Sequence, residues 1–256
     1  MKLTTLDKSL QVIDLLGENP QGLSLLEMTN ILGFPKSSIH HILATFLPYE
    51  YVAQNAENKK YSLGFKFLSL GKVILDSIDV RKIANKYLLE LHDQLCKRHG
   101  ECNEAIHLAI LRNGKVIYID KIDSQAGLSL ATYIGFRTDP HAAAGGKVLL
   151  SELSPKDILN IYHGRALKPY TKNTITSIDE LFKELEKIRK QGYAIDNEEY
   201  YEGVRCVAAP IRAGAKIVAA VSITGSIFNM TTESINNELK TLLLGMTKRI
   251  SKEMEW

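Results

Sequence analysis

The chain has 256 residues, of which 45% are hydrophobic and 24% charged, with a net charge of +3. Domains of roughly 100–200 residues make two units the natural reading, and nothing in this composition forces disorder. Three cysteines, Cys96, Cys102 and Cys206, argue against a disulfide scaffold and suit a reducing cytoplasm. The N-terminus carries Asp7, Lys8 and Asp14 and so lacks a signal-peptide apolar core. Apolar runs such as IVAAVSITG fall far short of the roughly 20 residues of a membrane helix. A cytoplasmic protein without a membrane segment is expected.

Residues 3–16 read as a helix with Leu6, Leu10, Ile13 and Leu16 on one face, stopped by Gly17 and the GENPQG run. Ser24 and Glu27 have capping-box spacing at the start of a second helix, whose apolar face is Met28, Ile31 and Leu32. Pro35 suits the first position of a third helix, KSSIHHILATFL, with Ile39, Ile42, Leu43 and Phe46 inward. YVAQN and KKYSL read as a small hairpin. Residues 65–78 are helical, and Asp79 reads as the N-cap of a long helix through Leu95.

After Gly100 the pattern changes. EAIHLAILRNGKVIYIDKI is two strands joined at Asn113-Gly114, where both residues tolerate positive φ. SLATYIGF reads as another strand, and HAAAGGKVLLSEL as a short helix of small residues. Ser154-Pro155 starts a helix; Ser177 and Glu180 form a second capping-box pattern, and Gly192 closes the helix it opens. VRCVAAPI and KIVAAVSITGS are two apolar strands. The tail from Thr232 is an amphipathic helix through Ile235, Leu239, Leu242, Met246 and Ile250. Strands and helices in this mixture give an α+β fold.

Three short helices and a hairpin outline a winged helix-turn-helix, whose third helix would enter the DNA major groove. With its apolar residues inward, Ser37, His40, His41, Ala44 and Thr45 turn outward. Lys36, Ser37 and Ser38 stand at the helix start, where free N–H groups favour phosphate. Lys59 and Lys60 would form the wing. Residues 1–61 hold five lysines, no arginine and six acids, whereas a DNA-reading face is usually basic. A helical protein-interaction domain is the alternative reading.

The sequence resembles the IclR family of bacterial transcription regulators over nearly its whole length. The resemblance rests on LDKSLQVIDLL, LSLLEMTNILGFPKSSIHHIL, YSLGFKFLSLG, HAAAGGKVLL, YTKNTIT, GYAIDNEEYYEGVRCVAAPI and VAAVSITGS. It implies a winged helix-turn-helix DNA-binding domain (1–64), a linker helix (65–78) and a GAF/PAS-like effector-binding domain with an antiparallel sheet flanked by helices (79–256). It further implies a homodimer or dimer of dimers on double-stranded operator DNA, controlled by a small organic acid, a sugar acid or an aromatic catabolite, among which the effector residues favour a small organic, keto or sugar acid. Where the family commonly has an arginine or other polar residue after the His or Tyr of the reading helix, this chain has His41, a weaker phosphate partner than arginine.

The family's effector segments map onto Ala144 and Gly145 at a helix start, Asp196 before the EEY run, Cys206 in VRCVAAP, and Ser222 and Thr224 in AAVSITGS. Backbone N–H groups at the helix start can meet a carboxylate, and Asp196 can accept from a ligand hydroxyl. Each residue alone has an ordinary reading: a buried small thiol, a turn cap, two strand hydroxyls. His141, Asp196 and Cys206 have the residue types of a catalytic triad, but Cys206 sits mid-strand, away from any thiol-activating helix start. His92, Cys96, His99 and Cys102 carry zinc-type ligands at helical spacing without the usual paired-cysteine spacing, a weak metal candidate. No cofactor and no enzymatic activity are expected.

Overall fold

A computed structural model describes residues 4–125, 131–164 and 166–254, the side chains of residues 98 and 99 excepted. The chain divides into two units, Met1–Ser77 and Ile78–Trp256. In the first, helices α1 (Thr4–Glu18), α2 (Leu25–Leu32) and α3 (Lys36–Phe46) precede an antiparallel hairpin of β1 (Val52–Gln54) and β2 (Tyr61–Leu63). Helix α4 (Lys66–Asp76) follows. Val12, Leu16, Met28, Ile39, Leu43 and Val52 meet in its core. At the start of α2 the Ser24 N–H donates to Glu27 Oε2 (2.6 Å) and the Glu27 N–H to Ser24 Oγ (3.3 Å), so the capping box forms.

Two expectations for this unit need correction. Leu6 and Leu10 of α1 and Ile31 of α2 are more than half exposed. α1 packs on α2, α3 and β2 through Val12, Leu15 and Leu16, so its second apolar stripe is left uncovered. Pro35 is the N-cap of α3 rather than its first helical residue.

The second unit is built on a six-stranded antiparallel sheet in the order β5-β4-β3-β8-β7-β6. Its strands are β3 (Ala105–Arg112), β4 (Lys115–Ile122), β5 (Arg137–Thr138), β6 (Ala194–Asn197), β7 (Val204–Ala213) and β8 (Lys216–Ser226). Asn113 (φ 50°) and Gly114 (φ 72°) make the tight β3–β4 turn. Helix α5 (Asp79–His99) and the C-terminal helical run, α9 (Thr232–Ser234), a π-turn (Ile235–Leu239) and α10 (Lys240–Glu253), supply the partners of one sheet face. Helices α6 (Ala144–Leu150), α7 (Pro155–Tyr162) and α8 (Ile178–Gln191) pack on the other. This is the α+β, GAF/PAS-like arrangement of an antiparallel sheet flanked by helices.

Several local expectations in this unit change. Of SLATYIGF, residues 129–130 lie outside the described residues, and residues 131–136 form a turn rather than a strand. The Phe136 N–H donates to Tyr133 O and Gly135 sits at φ 95°, which breaks an extended run; Gly135 and Phe136 still bond to Tyr118, and the regular ladder with β4 is confined to Arg137–Thr138. Asp79 is the first residue of α5, and Ile78 caps it. Ser177 caps α8 without a side-chain bond. Ser24 and Ser154, whose side chains do cap, enter their helices at φ −73° and −69°, Ser177 at −106°. Cys96 and Cys102 form a local disulfide, because the turn at Gly100 brings their Cα atoms to 4.3 Å. Among the described residues no helix is long and apolar enough to cross a membrane.

Candidate functional site

Cross-strand register assembles the site. Asp196 pairs with Cys206, Cys206 with Thr224, and Thr224 with Ala105, giving one row across β6, β7, β8 and β3. The next row on the same face runs Ala194, Ala208, Ser222, His107. Side chains alternate along a strand, so residues one step away, Val207, Ile223 and Ile106, enter the opposite core. The site face is made of small residues, which lets α6 come close: a Cβ on Gly145 would lie 3.8 Å from Ala220 Cβ. At Gly146 a Cβ would fall 2.4 Å from Pro140 O, so only glycine fits that turn into α6.

Between this face and the start of α6 lies a cavity of about 40 Å³ free volume lined by Ala144, Gly145, Asp196, Cys206, Ser222 and Thr224. Those are the six residues that the motifs mark as effector candidates. His107, Tyr118, Thr132, Phe136, Ala143, Tyr200, Tyr201 and Val204 complete its wall. A polar chain crosses the floor. Thr132 Oγ1 lies 2.9 Å from His107 Nε2, Thr224 Oγ1 lies 3.5 Å from His107 Nδ1, and the Thr224 hydroxyl donates to Cys206 Sγ at 3.2 Å. Burial, with nearby Lys121 adding to it, lowers His107 to about 3, so its ring is neutral. Rings surround the opening: Tyr118 is 4.7 Å from His107 and stacks on Phe136, and Tyr200 meets Tyr201 edge-on.

Asp196 is buried, and burial raises its carboxyl to about 7, with the Glu199 carboxylate pushing the same way. Its Oδ1 accepts the Glu199 N–H at 2.7 Å. Behind it Lys147, 1% exposed, donates from Nζ to Glu199 Oε1 and to Ile195 O, both at 2.6 Å. This buried pair ties α6 to the β6–β7 connection and so fixes Asp196 against Ala144 and Gly145. The YTKNTIT segment clamps the same connection: Thr171 Oγ1 donates to Glu198 O and Thr174 Oγ1 to Glu199 O, each at 2.6 Å. Two sequence motifs far apart in the chain are thus one structural unit.

The triad residues do not assemble. His141 Nε2 bonds to Lys168 O at 3.0 Å and does not line the cavity. Burial, reinforced by Asp196, pushes the Cys206 thiol up to about 12, leaving no thiolate to attack with.

In the first unit, Lys36, Ser37, His40, His41 and Thr45 of α3 are exposed and Ser38 is half-buried. Pro35 gives no side-chain cap and its carbonyl accepts the Ser38 N–H at 2.9 Å, which leaves the Lys36 and Ser37 N–H groups at the start of α3 to meet an anion. Thr45 Oγ1 donates to His41 O at 2.8 Å, which leaves its oxygen only as an acceptor. Lys59 is exposed at φ 57° in the β1–β2 loop, and Asn55 Oδ1 shapes that loop by accepting the Glu57 and Asn58 N–H groups. Lys60 is half-buried and its Nζ reaches Glu27 Oε1 at 3.4 Å, so the two wing lysines differ.

The family model described as "Bacterial transcriptional regulator IclR C-terminal" matches residues 72–252, and "IclR helix-turn-helix domain" matches residues 5–56. The chain belongs to the IclR family. Among its IclR relatives, the HTH-type transcriptional regulator XynR of Escherichia coli (strain K12) is 34% identical over 223 residues, 87% of this chain and 86% of the relative. The regulator KdgR of the same organism is 34% identical over 245 residues, 95% of this chain and 89% of its own. The crystal structure of the Thermotoga maritima IclR superposes with a TM-score of 0.80 at 29% identity, covering 100% of both chains. This IclR-family chain is therefore a helix-turn-helix transcription regulator with a C-terminal effector domain, in a family of regulators rather than enzymes.

Sequence reading missed His107, Lys147 and the aromatic wall. His107 had a signal: it is the one polar residue at the inward positions of the run AIHLA. Lys147 had none, since a lysine inside a short helix reads as exposed until its partner Glu199 is found.

Proposed function

We propose that this regulator binds operator DNA through α3 and the β1–β2 wing, and that a small keto, hydroxy or sugar acid in the cavity beside α6 controls that binding. The convergence of Ala144, Gly145, Asp196, Cys206, Ser222 and Thr224 on one cavity carries the reading. The carboxyl of Asp196 and the hydroxyls of Ser222 and Thr224 in its lining favour a hydroxylated or keto acid over an aromatic one. The free N–H groups at the start of α6 suit its carboxylate. Ser222 and Thr224 suit a hydroxyl or keto oxygen, and Asp196 in its protonated form can donate to the ligand.

On DNA, Lys36, Ser37, Ser38 and Lys59 would hold phosphates, with His40, His41 and Thr45 facing bases and Lys60 in a weaker role behind Glu27. The protein acts as a homodimer or a dimer of dimers in the cytoplasm, where its operator lies. Helix α4, proposed as the linker, has no buried residue, and Phe65, Leu68, Val73 and Ile74 are each more than 60% exposed. Covering them against a second copy would remove this apolar surface from water.

The test is anisotropy of labelled DNA from upstream of the gene, titrated across salt concentrations with and without a panel of small acids. Lys59→Ala should weaken binding to all sequences and reduce the log–log salt slope by about 0.9, one phosphate contact. Asp196→Ala should keep DNA binding and lose the acid response. Salt-independent binding, or an acid response that survives Asp196→Ala, would overturn the reading.

A further inference from the structure

At the far end of α5, away from the effector cavity, His92 and Cys96 stand one helical turn apart, so both side chains lie on one face. Gly100 caps the helix in the left-handed conformation (φ 72°), which turns the chain back and returns Cys102 to Cys96, with Cα atoms 4.3 Å apart. One ligand atom from each of His92, Cys96 and Cys102 lies within 4.8 Å of the others. Cys96 Sγ is 3.7 Å from both ring nitrogens of His92. A tetrahedral ion with Zn–S of about 2.3 Å and Zn–N of about 2.0 Å separates its sulfur and nitrogen ligands by about 3.5 Å.

His92 is 9% exposed and Cys102 is 6% exposed. Among the described residues the polar neighbour of the His92 ring is a sulfur, a weak hydrogen-bond partner for a buried imidazole. Two thiols and an imidazole form a soft donor set that selects zinc-class ions over magnesium or calcium. The weak zinc-type cluster of the sequence thus keeps three members in contact, while the His99 side chain lies outside the described residues.

We propose that His92, Cys96 and Cys102 of the reduced protein bind one zinc-class divalent cation, with a fourth position left to water. The disulfide of this structure is the oxidised form of the site. A thiol reductant breaks the S–S bond by supplying two electrons and two protons, and the incoming cation then displaces both thiol protons as the sulfurs become thiolate ligands. The site braces the junction between α5 and β3. Cys102 O also accepts the Gln125 N–H at 2.8 Å, and three residues beyond Cys102 the chain enters β3 at Ala105, in the row of Asp196, Cys206 and Thr224.

Cobalt(II) titration of the full-length protein, reduced with a phosphine, tests this. The expected result is one equivalent bound, with a thiolate-to-cobalt absorption band that zinc displaces. The band should vanish in Cys96→Ser and Cys102→Ser and weaken at least tenfold in affinity in His92→Ala. The same wild-type protein oxidised to the disulfide should bind no cobalt, a comparison that needs no variant to fold. No band in the reduced wild type overturns the site. So does a band that survives loss of both cysteines, since Cys206 would then hold the ion, or one unaffected by His92→Ala.

Discussion

On one face of the six-stranded sheet, Ile106, Leu108, Val207, Val221 and Ile223 interlock with α5 and α10. One residue along each strand, His107, Cys206, Ala208, Ser222 and Thr224 look the other way, toward α6. The first set is large and apolar, and its area removed from water stabilises the domain. The second set is small or polar, so it leaves a cavity and must satisfy its polar atoms through one another, as the Thr132–His107–Thr224–Cys206 chain does. The period-two alternation of a strand lets the same segment build a dry core and a wet site without either intruding on the other.

The largest expected effect lies on the dry face. Ile223→Ala should cost about 2–5 kcal/mol in denaturant unfolding, through lost burial and a cavity, while leaving ligand affinity within a few fold. A large loss of affinity would show that the two faces are not independent. At the contact of α6 with the site face, Gly146→Ala forces a Cβ against Pro140 O and should destabilise by about 1–3 kcal/mol. Gly145→Ala meets only ordinary contacts and should fold normally while narrowing the cavity it lines. Equal stability of the two variants would contradict the packing described for α6.

Asp196 sharpens the comparison through pH. Its carboxyl is raised from 3.8 to about 7 in the folded protein, so the native state holds this proton more tightly than the unfolded chain. Unfolding then releases a proton across that interval, and the contribution to stability is full below about pH 4 and lost as pH rises through about 7. Asp196→Asn should flatten this part of the stability–pH curve. It should also abolish a loss of acid-effector affinity above neutral pH, which arises as ionised Asp196 repels the ligand carboxylate. Wild-type affinity independent of pH from 6 to 8 would count against Asp196 facing the ligand. The smallest effect is Thr224→Val, which keeps the shape of the site face and removes one hydroxyl. It should change stability by about 1 kcal/mol and weaken the ligand more than the fold.

Local chemistry made much of this legible from sequence. Asn113-Gly114 marked a hairpin, Ser24 with Glu27 marked a helix start, and the wing followed from two short extended runs. The motifs pointed to Ala144, Gly145, Asp196, Cys206, Ser222 and Thr224, which line one cavity. What stayed hidden depends on long-range pairing. The placement of β8 between β3 and β7 brings His107 opposite Ser222, and no local spacing encodes it. Strand β6 is only four residues long and too short for periodicity to show. Leu6 and Leu10 fit a helical stripe as well as Val12 and Leu16 do, and only the position of β2 and α3 decides which stripe is buried. Lys147 is buried because Glu199, 52 residues away, receives it.

Thermal unfolding of the full-length protein against a panel of keto, hydroxy, sugar and aromatic acids tests the central claim most directly. A ligand at 100 times its Kd adds about 2.7 kcal/mol to the state it binds, a Tm rise of about 5–10 °C for a unit of this size. The account predicts such a rise with a small keto, hydroxy or sugar acid, and its loss in Asp196→Ala. A rise produced only by bulky aromatic acids, or one that persists undiminished in Asp196→Ala, would contradict it.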